Sequence, residues 1–144
     1  MNLSGKRIIL TGAAGGIGYR LALLLAEKGA RLALVERNAP RVAEICAEIN
    51  QRGGFATPIA LDLSADGAVE KTLSSALQAL GGVDMLINNA GLMDFTLFER
   101  HDPKRIEQMI SVNVIAPMLL VRAVLPHLLH FMGAPTHPTR RPPA

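Results

Sequence analysis

The chain has very little of what staples, ligates or stacks. Cys46 is the single cysteine among 144 residues, which excludes an internal disulfide framework and a thiolate cluster for zinc. Aromatic residues make up 3% of the chain, too few for a base-stacking platform. The basic residues are scattered, in pairs at most (Lys6-Arg7, Lys104-Arg105, Arg140-Arg141). The formal charge of +3 therefore reads as a mildly basic surface and not as a nucleic-acid-binding face. No apolar run approaches the ~20 residues that cross a bilayer, and the opening MNLSGKRIIL has too short an apolar stretch for a signal peptide. The expectation is a cytoplasmic chain with no nucleic-acid or membrane partner.

A core, by contrast, is well provided for. At 49% hydrophobic and 19% charged, the composition is globular. Short apolar strands alternate with amphipathic helical stretches. KRIIL (6–10), RLALVE (31–36), FATPIAL (55–61) and VDMLINN (83–89) read as strands, with Pro58 marking the third as weak or at an edge. Helical periodicity over 16–29 ends on Gly29, a suitable residue just past a helix end. Asn38 is placed to cap a helix that stops at Gly53-Gly54, and Ser64 to cap one that runs to Leu80. Asp102-Pro103 opens a long helical pattern to about Met132, with Asp at the cap and Pro in the first turn. Strands this apolar are buried on both faces. With right-handed crossovers, the βαβαβαβ order gives a Rossmann-like, doubly wound parallel sheet within one domain, 1–132. The last residues, 133–144, hold four prolines in twelve and read as a Pro/Arg-rich disordered tail.

The stretch TGAAGGIG (11–18) falls between the first strand and the first helix. Gly12 suits a tight turn, Gly16 a close backbone approach to a pyrophosphate, and Gly18 close helix-to-strand packing. The free N–H groups of the helix start favour that doubly charged group. Glu36, at the end of the second strand and 18 residues beyond Gly18, is placed to accept hydrogen bonds from ribose hydroxyls.

The T-G-x-x-x-G-x-G spacing resembles that of the short-chain dehydrogenase/reductase family. NNAG at 88–91 is similar to the family's second motif, ALDLS (60–64) to its adenine-side loop, and Asn113 in SVNVIAP to its catalytic asparagine. The resemblance covers residues 1 to about 130, roughly the first half of a family member. It implies a nicotinamide dinucleotide cofactor. Gly12, Gly16, Ile17 and Gly18 would line the pyrophosphate, Asp62 and Leu63 the adenine, and Asn89, Ala90 and Gly91 the ribose and nicotinamide side. Glu36 repels a 2′-phosphate and favours NAD, whereas Arg37 is able to pair with that phosphate and favour NADP. Ala14 and Gly15 add no second cation, so NAD is the expected cofactor and NADP the alternative.

Pro117 lies inside the long helical pattern. It has no N–H to give to the carbonyl four residues back, which is that of Asn113, so a kink and a free C=O are expected there. By the resemblance, this carbonyl corresponds to one that holds a water in the family's proton relay. Hydride transfer in the family also needs a serine and a Y-x-x-x-K pair. The single tyrosine here is Tyr19, with Leu23 where the lysine would stand. No lysine follows Lys104 and no serine follows Ser111. His127 and His130 sit three apart on a helix, but no third ligand accompanies them, so no metal is expected.

The chain thus reads as the nucleotide-binding half of an NAD(P)-dependent alcohol/carbonyl oxidoreductase, inactive in this form. The change of character near Phe131 reads as the mark of a shifted reading frame or a truncated gene. The alternative is a non-catalytic NAD-binding or interaction module that pairs with an intact relative, as a homo- or hetero-oligomer, through the long helix 103–132. The fourth strand would leave an open sheet edge, so marginal stability or dependence on a partner is expected.

Overall fold

A computed structural model of the chain describes residues 2–131. The tail expected at 133–144 lies outside the described residues. Four strands form one sheet in the order β3-β2-β1-β4: β1 (Arg7–Thr11), β2 (Arg31–Glu36), β3 (Phe55–Ala60) and β4 (Met85–Ile87). Every pairing is parallel. Ile8 stands opposite Leu32 on one side and Met85 on the other, and Leu32 in turn faces Ala56.

The alternation of side chains along a strand sorts the core into two layers. Ile8, Leu10, Leu32 and Leu34 point to one face, where they pack with Ala22 and Leu25 of α1 (Gly16–Glu27) and with Val42, Ile45 and Ile49 of α2 (Ala39–Gln51). Ile9, Ala33 and Val35 point to the other. There they meet Ala76 and Leu80 of α3 (Ala68–Leu80) and Val124 of a later helix. Both faces of β1 and β2 are thus covered, which is why these strands read as continuous apolar runs. β3 and β4 are the edges, and Pro58 sits in β3, where a missing N–H is tolerated.

Several signals act as expected. Asn38 Oδ1 accepts the N–H of Arg41 at 3.1 Å, and Asp102 Oδ1 that of Lys104 at 3.0 Å, each capping a helix. Gly29, Gly53 and Gly81 stop α1, α2 and α3 with φ of +79°, +83° and +75°. Two expectations are corrected. Ser64 does not cap α3: its hydroxyl and its N–H both donate to Oδ1 of Asp62, at 2.7 and 2.8 Å, and α3 begins only after Gly67, at Ala68. An Asp two residues upstream draws the serine into a local turn before a helix can use it. The fourth strand is also shorter than 83–89, because Asp84 turns aside to Arg7 and the chain leaves the sheet after Ile87.

The long helical pattern is continuous but not uniform. α4 (Pro103–Ile110) runs into a π-turn over Ser111–Ile115, where the N–H of Ala116 reaches back to the carbonyl of Ser111, and then into α5 (Ala116–Phe131). The disturbance expected from Pro117 therefore takes the form of this π-turn, with Asn113 at its centre. The 26-residue span Pro103–Leu128 is also long and apolar enough to cross a bilayer by length and composition alone. Its inner stripe packs on the sheet, with Val112, Ala116, Leu120 and Val124 buried. The outer stripe, with Ile110, Val114, Met118, Val121 and Leu125, is apolar as well and is exposed.

Arg7 and Asp84 tie the amino-terminal end of β1 to the approach of β4. The guanidinium donates from Nε to Oδ2 (2.9 Å) and from Nη2 to Oδ1 (2.7 Å), while the Arg7 N–H donates to Oδ2 and the Asp84 N–H to the Arg7 carbonyl. The guanidinium beside Asp84 holds its carboxyl below the usual carboxylate range. A depressed pKa contributes stability above the unfolded value of about 4 and loses it as pH falls through the folded value. Asp84→Asn is expected to cost about 1–3 kcal/mol at pH 7, with the penalty shrinking below about pH 4. Urea melts across pH 3–7 measure this, and a pH-independent penalty would contradict it.

Candidate functional site

At the carboxyl end of the sheet, across the ends of all four strands, a cleft of about 550 Å³ opens over the glycine turn. Its walls include Gly12, Gly16, Ile17, Gly18, Glu36, Arg37, Asp62, Leu63, Asn89, Ala90 and Gly91, all singled out from the sequence. Segments from Gly12 to Val112, 100 residues apart in the chain, are thereby brought to one cleft. Asn113, the twelfth residue singled out, does not line the cleft. Its Oδ1 accepts the N–H of Leu92 at 2.7 Å and its Nδ2 donates to the Leu92 carbonyl at 2.8 Å. It therefore acts on the cleft through Leu92, which does line it.

The floor is built by β1 and the segment after β4. Thr11 Oγ1 accepts the N–H groups of Asn89 and Ala90, at 3.0 and 3.1 Å. The side-chain Nδ2 of Asn89 donates to the carbonyls of Thr11 and Gly12, at 3.1 and 3.0 Å. The side chain of Asn89 is thus engaged with the neighbouring turn, and only the rest of the residue faces the cleft. The N–H of Gly12 donates to the carbonyl of Val35 at 2.9 Å, which ties the turn to β2 as well.

The glycines divide into two kinds. Gly12 has φ +69°, and a Cβ there would stand 2.7 Å from Cα of Ala90. A Cβ at Gly18 would run into the Gly12 carbonyl oxygen. Those two positions are glycine because the protein itself fills the space. Gly16 differs: its φ is ordinary, and a Cβ would meet nothing within 4 Å. The fold gives no reason for a bare backbone there, and the position faces the cleft. α1 also starts without a side-chain cap, unlike α2 and α4. Its first-turn donors are therefore left to whatever lies in the cleft.

At the far end stand Glu36 and Asp62. Glu36 accepts N–H groups from Ala14, Arg37 and Asn38. Ser64, by its side-chain and backbone bonds and with help from Arg37, holds the Asp62 carboxyl below the usual range despite partial burial. Ala14, Gly15, Val35, Asn38, Arg41, Leu61, Leu92 and Val112 also line the cleft, and the sequence reading gave none of them a part in holding a ligand. Arg41, in the first turn of α2, carries no sequence signal that sets it apart from the other arginines.

Tyr19 is not among the lining residues. Its hydroxyl donates to Glu48 Oε2 at 2.9 Å, and that bond pushes its pKa up, the opposite of what a tyrosine acid/base requires. Among the described residues, no three of His, Cys, Asp and Glu come together as a metal site, and the side chain of His130 lies outside them. Burial pushes the Cys46 thiol up to about 11, so Cys46 is a packing residue and not a nucleophile.

A cleft at the carboxyl ends of parallel strands, over a glycine turn that opens a helix, defines a Rossmann-like nucleotide-binding fold. The family follows from comparison: residues 6–134 match the model of the short chain dehydrogenase family, and the chain belongs to that family. A short chain dehydrogenase of Pseudocercospora fijiensis is 39% identical over 129 residues, which cover 88% of this chain and 42% of that protein. A metagenomic short-chain oxidoreductase solved in complex with NADP superposes with a TM-score of 0.84 at 36% identity, over 91% of this chain and 60% of that one. A short chain dehydrogenase from Burkholderia cenocepacia, also in complex with NADP, gives a TM-score of 0.83 at 32% identity, over 89% of this chain and 53% of that one. The chain thus spans about half the length of the relatives it matches.

Thr11→Val keeps the shape of the junction and removes its hydroxyl, leaving the N–H groups of Asn89 and Ala90 without their acceptor. The expected loss is on the order of 2–3 kcal/mol, read by urea melts, with Thr11→Ser restoring most of it. A neutral Thr11→Val would show that the junction is held by packing alone.

Proposed function

We propose that this chain is the dinucleotide-binding half of an NAD(P)-dependent oxidoreductase, and that these 144 residues alone bind cofactor without turning over an alcohol or carbonyl substrate. The observation that carries the reading is Gly16, a bare position with open space in front of it, at the uncapped start of α1. A pyrophosphate needs that space and those N–H groups. When bound, a nicotinamide dinucleotide supplies or accepts a hydride.

The residues fall into roles. Gly16, Ile17 and Gly18 would hold the pyrophosphate. Glu36 and Arg37 would meet the adenosine ribose, Asp62 and Leu63 the adenine, and Ala90, Gly91 and Leu92 the nicotinamide side. Glu36 argues for NAD, while the NADP complexes of the two structural relatives favour admitting NADP as well. Asn113 would act as a positioning residue that fixes Leu92. The acid/base tyrosine and its lysine have no counterpart in these residues, since Tyr19 is engaged with Glu48.

The test is a thermal melt with and without cofactor. A dinucleotide at ~100 times its dissociation constant stabilises the native state by about 2.7 kcal/mol, a rise of about 5–10 °C for a domain of this size. Gly16→Val is expected to leave the melt of the free chain within about 2 °C and to abolish the cofactor shift, since a Cβ there meets nothing within 4 Å and stands in the space proposed for the ligand. Were the variant to keep its shift, the reading of the cleft would fall.

A second reading, an interaction module, is favoured by the outer stripe of α5, where Met118 is 68% exposed. Large exposed apolar patches mark interfaces. In that reading the stripe pairs with a second copy or with an intact relative. Met118→Asp is then expected to convert an oligomer to a monomer in light scattering. A chain that is monomeric before the substitution, and that does not join an intact relative, would rule the reading out.

A further inference from the structure

Asp62 stands in the cleft wall two residues beyond the end of β3, with Leu61 and Leu63 lining the cleft on either side of it. The backbone that carries it is tied at both ends. The N–H of Leu61 donates to the Glu36 carbonyl at 3.1 Å, and the N–H of Ala65 closes a turn on the Asp62 carbonyl, also at 3.1 Å.

The two carboxylate oxygens are used differently. Oδ1 accepts both the hydroxyl and the N–H of Ser64, at 2.7 and 2.8 Å. Oδ2 accepts no hydrogen bond among the described residues. The Ser64 hydroxyl, and then its N–H, hold the carboxyl below the usual range, against the partial burial that raises it. An ionised carboxylate oxygen only accepts. The uncommitted oxygen therefore favours a ligand N–H at that place and disfavours a ligand carbonyl.

Ser64 serves no other purpose in the fold. Its hydroxyl donates to Asp62 alone among the described residues. α3 starts further on, after Gly67 with φ +71°, and has no side-chain cap. Ser64 does not line the cleft either. Whatever it does for a ligand, it does through Asp62.

We infer that Ser64 is the positioning residue through which this chain tells a 6-aminopurine from a 6-oxopurine. By giving both its donors to Oδ1 it fixes the carboxylate and leaves Oδ2 to accept the amino group of the base. The inference rests on the reading of the cleft as a dinucleotide site. It involves recognition only, with no bond made or broken.

The experiment measures dissociation constants on the 144-residue chain, by nicotinamide fluorescence, for NADH and for reduced nicotinamide hypoxanthine dinucleotide. The two ligands differ only in the purine, which carries an amino group at C6 in the first and a carbonyl oxygen in the second. The unsubstituted chain is expected to favour NADH by roughly 10-fold or more, the worth of one hydrogen bond to a charged acceptor. Ser64→Ala keeps the backbone N–H and removes the hydroxyl. It is expected to lower that preference by about 3-fold or more, through weaker NADH binding, with the melt of the free chain within about 2 °C. Ser64→Thr, which keeps a hydroxyl, is expected to hold the preference. A preference unchanged by Ser64→Ala, two affinities that fall together, or no preference in the unsubstituted chain overturns the inference and leaves the dinucleotide site standing. So does a Ser64→Ala chain that no longer melts cooperatively, since the hydroxyl then serves the fold. Failure of the unsubstituted chain to bind either ligand overturns both.

Discussion

The hydroxyl of Thr11 is the point on which the site depends. It accepts two backbone N–H groups from the segment after β4, and the side chain of the first of those residues returns two bonds to the carbonyls of Thr11 and Gly12. Parallel strands need long crossovers, so the glycine turn and the segment 88–91 are distant in sequence and have no local means of finding their register. This junction supplies it. It also explains Gly12, which lies so close to Ala90 that no side chain fits between them. A network in which each donor has its acceptor is stiff, so the cleft floor is in place before any ligand arrives.

The second constraint is the apolar helix. One stripe of it closes the core against α3 and the sheet, and the other faces outward with no less hydrophobic character. Pro117 adds a local defect, because it has no N–H to give to the carbonyl of Asn113, and the turn before it widens to π spacing. Asn113 sits in that widened turn and spans to Leu92, so an irregularity in the helix becomes the anchor of the loop beside the cleft. The proline and the asparagine, four residues apart, thus act together.

Most of the architecture was legible because β1 and β2 are buried on both faces and read as unbroken apolar runs, and because Asn38 and Asp102 cap where their chemistry says they should. The start of α3 was not, since Ser64 had two acceptable uses and its neighbour Asp62 decided between them. The glycine motif and Glu36 were legible as positions but not as roles. A sequence shows that Asn89 and Glu36 carry polar groups near a cleft; it does not show that backbone groups already occupy them. Arg41 was missed for the converse reason. Nothing in a helical sequence says which arginine reaches the cleft or has an aromatic ring to lie on, and the Tyr19 ring near Arg41 comes from a different helix, α1.

The two glycine classes show how folding and recognition are divided in this chain. Gly12 and Gly18 are fixed by contacts within the protein, so the turn forms whether or not anything binds. Gly16 is fixed by nothing inside the protein. The cleft walls run only from Gly12 to Leu92, with Val112 added from the π-turn, and both core layers close around the same four strands. Everything proposed here to recognise a dinucleotide therefore lies within residues 12–113 of this chain. The acid/base pair that the family's chemistry requires is not part of that stretch. On the proposed reading, binding and chemistry are separable: a side chain placed at Gly16 bears on the first without meeting the rest of the fold.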